Sequence, residues 1–179
     1  MYELFRAFLP SEYQVKAASD AWEFRAAAAL RRQVFCVEQG IFQHHDRDAI
    51  DEVAIPLVAV SLLGVAAGEV AGTVRIHEAE PGLWWGSRLA VAPEFRRAGA
   101  LGAALIRLAV GTAHGRGATR FLAHVQAQNV RMFQRLNWQV LEKVELHARP
   151  HALMQADLAT YPEIRDPALG FRALARQAA

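Results

Sequence analysis

The sequence predicts a mixed α/β fold with a central sheet and helices on both of its faces. Two observations carry this prediction. Strand-like segments and three helical segments follow one another in the order β-α-loop-β-β-β-α-β-α-β-β. The chain has 179 residues, of which 53% are hydrophobic and 21% charged, so it can bury the core of one domain. We expect that domain to span residues 1–160.

The first helix has a clear start signal. Residues 13–18 have the pattern of the preceding strand, and Asp20 follows with Glu23 three positions later, which is the spacing of a capping box. Apolar residues at helical intervals extend this helix to about Cys36. The polar stretch 43–52 is predicted to be a loop.

Three strands follow that loop. Residues 57–63 form a continuous apolar run, as in a strand covered on both faces. Residues 70–76 follow the period-two pattern of a strand with one buried face. Residues 83–91 form the third strand, after a turn marked by Pro81 and Gly82.

The second half of the chain supplies two helices and three strands. A helix is predicted over residues 99–114, and a shorter one begins at Asn129 and ends near Asn137, which suits a helix C-cap. The remaining strands are expected at residues 121–126, 138–147 and 152–158. The tail 161–179 is rich in alanine and arginine and is predicted to be helical.

Composition excludes several classes of protein. A net charge of +2 does not call for a nucleic-acid or membrane partner, and one cysteine excludes an intramolecular disulfide or a multi-cysteine zinc site. The most apolar stretch, 53–68, is too short for a membrane helix and is broken by Pro56. We expect a cytoplasmic protein of bacterial type that uses no metal.

The segment 89–103 is the most informative part of the sequence. A strand ends, Arg96 and Arg97 follow, and Gly99 and Gly102 open a helix. Unpaired N–H groups at a helix N-terminus bind phosphate well, and glycine lets the backbone approach it. The alternative is an ordinary glycine-containing turn with solvated arginines.

Two motifs resemble those of the GNAT superfamily of acyl-CoA-dependent N-acetyltransferases. One is Val91-x-Pro93-x-Phe95-Arg96-Arg97-x-Gly99, and the other is Asn129-x-x-x-Phe133-x-x-Leu136-Asn137-Trp138. The resemblance covers about residues 12–159. It implies a mixed, mostly antiparallel sheet, with the pyrophosphate of coenzyme A bound at the glycine turn.

The resemblance also implies how the coenzyme is held. A bulged strand near Leu89 presents a backbone N–H to the thioester oxygen, and the second motif lines the pantetheine arm. The glycine turn can be aligned with the family motif in two ways, as Arg96-x-x-Gly99 or as Arg97-x-x-Ala100-x-Gly102, and both alignments stay open. The implied coenzyme-binding residues are Leu89, Ala90, Val91, Arg96, Arg97, Ala98, Gly99, Ala100, Leu101, Gly102, Ala103, Asn129 and Phe133.

The implied activity is transfer of an acetyl or short acyl group from acyl-CoA to a primary amine of a small molecule, by direct attack in a ternary complex. Phe133 stands where the family commonly has a tyrosine acid, so the thiol, with a pKa of roughly 8.5, leaves as thiolate or takes a proton from water. The alternatives are a non-catalytic acyl-CoA-binding sensor or partner module, and acyl transfer to another acceptor, as in autoinducer synthesis. A homodimer also stays open.

Three residues are candidates for the general base. Glu38 ends the first helix, which in the family shapes the acceptor side, while His124 lies in the strand 121–126 and His151 in the last hairpin. Each has a structural alternative, a solvated carboxylate for Glu38 and a hydrogen-bonded histidine for the other two. The segments 30–40 and 150–154 resemble a bacterial branch linked to nitrogen-starvation gene clusters.

Two further features favour structural roles. The stretch 44–52 carries two histidines and four acidic residues, but its spacing fits no metal site, so we expect a solvated acidic loop. Its carboxylates could instead attract a cationic amine. Cys36 is expected to be a buried structural cysteine, because no base or strong positive field adjoins it.

Overall fold

The computed structural model describes residues 10–64, 66–96 and 101–175. Within these residues, eight strands form one sheet. They are β1 (Glu12–Ala17), β2 (Ile55–Leu63), β3 (Ala66–Glu80), β4 (Leu83–Val91), β5 (Arg120–Gln126), β6 (Trp138–Leu146), β7 (Arg149–Ala156) and β8 (Phe171–Leu174). Their spatial order is β6-β7-β5-β4-β3-β2-β1-β8. All pairs are antiparallel except β4 with β5, so the predicted fold class is confirmed.

In the described part of the chain, three α-helices connect the strands: α1 (Ala21–Arg32), α2 (Leu101–Gly115) and α3 (Val130–Arg135). The carboxylate of Glu23 accepts the backbone N–H of Asp20, as the predicted capping box requires. After Arg32 the first helix widens into a π-helical segment, Gln33–Glu38, and so runs slightly further than predicted.

The helices cover both faces of the sheet. A Cβ on Gly72 of β3 would meet Leu105 of α2 at 2.9 Å, whereas Arg75 of the same strand bonds to the loop that α1 anchors. Because alternate side chains of a strand point to opposite faces, α1 and α2 lie on opposite sides. The core residues Leu105 and Leu108 are fully buried.

The one parallel pair is short. β4 pairs with β5 only where Leu83–Trp85 faces Arg120–Leu122, although β4 continues to Val91 and β5 to Gln126. Beyond Trp85 the two strands separate within the described part of the chain. A gap therefore opens in the middle of the sheet.

A β-bulge lies beside that gap. On β3 the pairing moves from Thr73 to Arg75, while on β4 it moves from Ala90 to Ser87. Two residues of β4, Arg88 and Leu89, thus lie opposite one residue of β3, Val74, and Arg88 has a positive φ of 57°. The register skips Arg88 and Leu89, which have no Cα partner on β3.

The loop 43–52 is held by an ion-pair cluster and is not the solvated acidic loop that was expected. Arg31 binds Asp46 at 2.7 Å and Asp51 at 2.6 Å, and Arg75 binds Asp48 at 2.6 Å. The cluster consists of Arg31, Arg75, Arg88, Asp46, Asp48 and Asp51. The expectation was wrong because the arginines come from α1, β3 and β4, far away in sequence. The same pairing leaves these aspartates neutralised, which contradicts their use as an attractor for a cationic amine.

The bulge is part of this cluster. The guanidinium of Arg88 bonds to the Asp46 carboxylate at 3.0 Å and the Asp48 carboxylate at 3.2 Å, and it lies 4.7 Å from the centre of the Phe42 ring. A non-glycine residue with positive φ is unfavourable by itself. Its side-chain contacts therefore fix the unusual backbone of β4 in place.

The predicted helix in the tail is wrong for the residues that the structure describes. Phe171–Leu174 is a strand that pairs with β1, and it alternates half-buried and exposed side chains. The outer edge of β1 offers unpaired backbone groups, and pairing with them outweighs the helix propensity of alanine and arginine. The tail thus belongs to the same sheet as the rest of the domain; residues 176–179 of this prediction lie outside the described residues.

The segment before β8 docks on α2. The Ile164 N–H donates to the Gly111 carbonyl at 2.9 Å, and a Cβ on Gly111 would lie 2.8 Å from both the Ile164 side chain and the Pro162 carbonyl. We predict that Gly111→Ala lowers the free energy of unfolding by about 1–3 kcal/mol through overpacking. Urea unfolding measures it.

The control for this variant is Gly102→Ala on the same helix, whose Cβ would lie 3.9 Å from the Met132 sulfur. It should be neutral or slightly stabilising, because alanine favours a helix over glycine. Equal stability of the two variants would contradict the docking of the tail.

A second prediction concerns the ion-pair cluster. Burial alone would raise the pKa of Asp51, but hydrogen bonds from Arg31, the Asp48 backbone and Arg75 lower it far below its usual value. Stability from this group is present above the unfolded pKa of about 3.9 and is lost as pH falls through the folded pKa. Asp51→Asn should therefore lower the free energy of unfolding at pH 7 by about 3 kcal/mol.

The same variant should also lose less stability than the native chain as pH falls from 5 towards 3. Thermal unfolding at several pH values measures both effects. Glu52→Gln is the matched control, since the exposed Glu52 has no ion pair within the described residues. A native-like acid profile for Asp51→Asn would contradict the assigned role.

Candidate active site

Two cavities meet at the gap between β4 and β5. The larger cavity, of about 680 Å³, lies on the face that α1 covers and is lined by residues such as Phe42, Trp85 and His151. The smaller cavity, of about 50 Å³, lies against α2 and is lined by residues such as Ile106 and Phe121. Both share five wall residues: Gly86, Ser87, Leu89, His124 and Phe133. The two cavities therefore adjoin at these five residues, and this boundary is called the passage below.

Strand pairing brings distant residues to the larger cavity. His77 of β3 lies opposite Trp85 of β4, and Gln126 of β5 lies opposite His151 of β7. His124 is two positions from Gln126 and so points to the same face of the sheet. Four strands thus place imidazole and indole side chains on one wall.

His124 lies at the passage itself. Its ring is 5.1 Å from that of Trp85, at an angle of 34°. Partial burial lowers the pKa of His124, and the neighbouring His151 lowers it further. The imidazole is therefore neutral near pH 7 and can accept a proton.

His151 is buried and oriented by the backbone. Its Nδ1 lies 2.9 Å from the carbonyl oxygen of Arg149. A carbonyl can only accept a hydrogen bond, so Nδ1 carries a proton and Nε2 is left for another partner. The structure thus places two of the three predicted base candidates beside the same cavity.

Glu38, the third candidate, is ion-paired. Its carboxylate receives two hydrogen bonds from Arg96, at 2.6 and 2.8 Å, and these lower the pKa of Glu38. Within the described residues Glu38 lines neither of the two cavities. A carboxylate with a lowered pKa is a weaker base.

Arg96 is correspondingly occupied. Besides binding Glu38, it donates from Nε to the Val91 carbonyl at 2.9 Å, so it joins the end of the π-helical segment to the end of β4. Gln39, the residue after Glu38, accepts a hydrogen bond from Gln126 at the end of β5. Residues 38–39 therefore bridge the two strands that border the gap.

The predicted coenzyme residues divide into four groups. Leu89 and Phe133 line both cavities, and Asn129 lines the larger one. Ala90, Leu101 and Ala103 are buried in the core, and a Cβ on Gly102 would lie 3.9 Å from the Met132 sulfur. Arg96 binds Glu38 and the carbonyl of Val91. The others, Arg97, Ala98, Gly99 and Ala100, lie outside the described residues.

The second motif packs as an aromatic group. Phe133 is buried, with its ring edge-on to Trp138 at 5.0 Å, and it carries no proton to donate. Asn129 precedes α3 without a capping hydrogen bond from its side chain. Its amide therefore remains available to a ligand in the larger cavity.

Sequence reasoning missed Trp85, His77 and Arg88 as wall residues. The alternation along β3 was visible, and it places Arg75 and His77 on one face, which was the available signal. The bulge that redirects Arg88 carries no local sequence signal. Cys36, expected to be buried, is only partly so.

In the described ranges, no three His, Cys, Asp or Glu side chains form a group that could hold a metal ion. Over the same residues, no helix is both long and apolar enough to cross a membrane.

Comparison with solved structures shows the same fold in several proteins. A protein from Lactobacillus plantarum aligns with a TM-score of 0.72 at 20% identity, over 82% of this chain and 98% of the other. An acyl-CoA N-acyltransferase from Pseudomonas aeruginosa aligns at 0.64 and 21%, over 80% and 98%. The CoA-dependent acyl-homoserine lactone synthase BjaI aligns at 0.66 and 16%, over 82% and 83%. At these identities the likeness concerns the fold.

Sequence comparison identifies the family. A search of curated proteins gives no significant match. The sequence model of the acetyltransferase (GNAT) family matches residues 1–138, which is more than half of the chain and includes β1 to α3. The chain therefore belongs to the GNAT acetyltransferase family and is an acyl-CoA-dependent N-acyltransferase.

Proposed function

We propose that this enzyme transfers an acetyl or other short acyl group from acyl-CoA to a primary amine of a small molecule, by direct attack in a ternary complex. The observation that carries the proposal is the passage between the two cavities at Leu89 and His124. The donor thioester approaches from the α2 side and the amine from the larger cavity. The smaller cavity, of about 50 Å³, favours a short acyl chain.

The bulge in β4 supplies the group that stabilises the transition state. Leu89 lies in this bulge and lines both cavities, and its backbone N–H is the proposed donor for the oxyanion that develops on the thioester carbonyl. The cluster around Arg88 fixes that donor before substrate binds. The unpaired N–H groups at the start of α2 are the proposed partners of the coenzyme pyrophosphate.

His124 is the proposed general base. The amine nitrogen attacks the thioester carbon while the neutral imidazole accepts the proton that the amine loses. Collapse of the tetrahedral intermediate breaks the C–S bond and releases the coenzyme thiolate, which water protonates because Phe133 cannot. His151, the other histidine beside the cavity, is the second candidate for the base. Glu38 is not proposed as a base; through its ion pair with Arg96 it holds the end of the first helix against β4.

The proposal extends to the setting of the enzyme. The structures from Lactobacillus plantarum and Pseudomonas aeruginosa support a bacterial enzyme, and a cytoplasmic location stays a prediction. The branch linked to nitrogen-starvation clusters and a homodimer stay predictions.

We predict that His124→Gln lowers kcat/KM for the amine by about 10²–10⁴-fold, because a positioned base contributes that much. The affinity for acetyl-CoA, measured by calorimetry, should stay unchanged. The control is His44→Gln in the exposed part of the loop, which should keep native activity. Binding of acetyl-CoA by the native chain without thiol release with any amine would support the sensor alternative instead.

The pH dependence gives a separate prediction. Since the pKa of His124 is lowered, the base form persists below pH 6.5, and kcat/KM should fall only as pH drops through that lowered value. Thiol release measured between pH 5 and 8 should show this acidic limb in the native enzyme and lose it in His124→Gln. An identical limb in both would reject His124 as the base.

A further inference from the structure

We propose that the acceptor amine also carries an anionic group, and that Arg47 binds this group and determines specificity for it. The inference rests on the proposed function, because it concerns the substrate of that same site. It names the chemical class of the acceptor, an amine with an attached oxyanion, and excludes polyamines as preferred substrates.

The first argument is the charge of the cavity wall. Within the described residues, the side chains of full charge that line the larger cavity are Arg47, Arg75, Arg88 and Asp48. Arg75, Arg88 and Asp48 belong to the ion-pair cluster, in which three arginines face three aspartates, so the cluster has no net formal charge. Arg47 lies outside the cluster and adds one positive charge that the cluster does not balance. A ligand in the cavity therefore meets one surplus positive charge.

The second argument separates Arg47 from the other arginines. Arg75 and Arg88 are each bound to two aspartates of the cluster. Arg47 is exposed at the cavity and has neither an ion pair nor a side-chain hydrogen bond with any residue that the structure describes. It is thus the cavity arginine left for a ligand.

The third argument is that the backbone of Arg47 is held on both sides. The preceding Asp46 is 3% exposed at its side chain and binds Arg31 and Arg88, while the following Asp48 binds Arg75. The flanking contacts fix the position from which the long side chain extends. A guanidinium presented in this way suits a charge-assisted bond to a carboxylate or phosphate-type oxyanion.

The same charges act on the amine. A positive wall without a free carboxylate disfavours the ammonium form and lowers the pKa of a bound amine, which raises the fraction of neutral nucleophile. A second ammonium, as in a diamine, meets the same repulsion without any gain. An attached anion offsets the charge of the ammonium and gains a bond to Arg47, so the acceptor binds and its amine still deprotonates.

The test is a panel of amines of matched length with acetyl-CoA as donor. It comprises n-butylamine, 1,4-diaminobutane, 4-aminobutanoate and 3-aminopropylphosphonate, each followed by thiol release. We expect the two anionic amines to exceed both others in kcat/KM by more than about tenfold, as one charge-assisted bond allows. The two anionic arms then distinguish carboxylate from phosphonate. A preference for the diamine, or equal values across the panel, overturns the inference.

The matched variants are Arg47→Gln and Arg116→Gln, the second in an exposed turn after α2. Arg47→Gln should raise KM for the preferred anionic amine about tenfold, leave n-butylamine within about twofold and leave the acetyl-CoA Kd unchanged. Arg116→Gln should change none of these.

Two outcomes of this comparison overturn the assignment of Arg47. Equal losses for the neutral and anionic amines mean that Arg47 acts on the fold. A weaker Kd for acetyl-CoA means that Arg47 serves the coenzyme. Thiol release that favours cationic amines leaves the proposed function standing and removes this inference alone, whereas no release with any amine removes both.

Discussion

The early end of pairing between β4 and β5 is the constraint on which the site depends. Neighbouring parallel strands normally satisfy each other's backbone groups along their length. Here the two strands pair through three residues each and then separate, so the sheet is continuous at one end and open at the other. The histidines, the bulge and both cavities lie at the open end. The resulting cleft has strands for walls, and strands position side chains more firmly than loops do.

The main effect of the ion-pair cluster is to fix the positions of the residues at this open end, and its contribution to the stability of the protein is smaller. Burying charges costs solvation free energy that offsets much of their attraction, so such a cluster is weak support for a large net stabilisation. Guanidinium and carboxylate groups, however, bond in narrow geometries. Here they join α1, β3, β4 and one loop around the bulge at Arg88, whose backbone alone would be unfavourable.

Local patterns predicted most of the fold, because the spacing of apolar residues along a short segment distinguishes a strand from a helix. They failed where the deciding partner is distant. The tail pairs with β1 across more than 150 residues, and the Asp46 loop is held by Arg88, 42 positions away. For the site, the two motifs located both borders of the gap. The pairing of Glu38 with Arg96, 58 positions apart, could not be foreseen from either segment alone.

The last strand of the chain also decides how the sheet meets its surroundings. Without β8, the six-residue β1 would present a free edge, and free edges recruit strands from other copies. In its place stands a four-residue strand whose Arg172 is exposed and lies 3.5 Å from Glu12. A short, charged edge of this kind offers little backbone for strand addition. The tail, which was predicted to be helical, therefore protects this edge of the sheet from aggregation by covering β1 with the short strand β8.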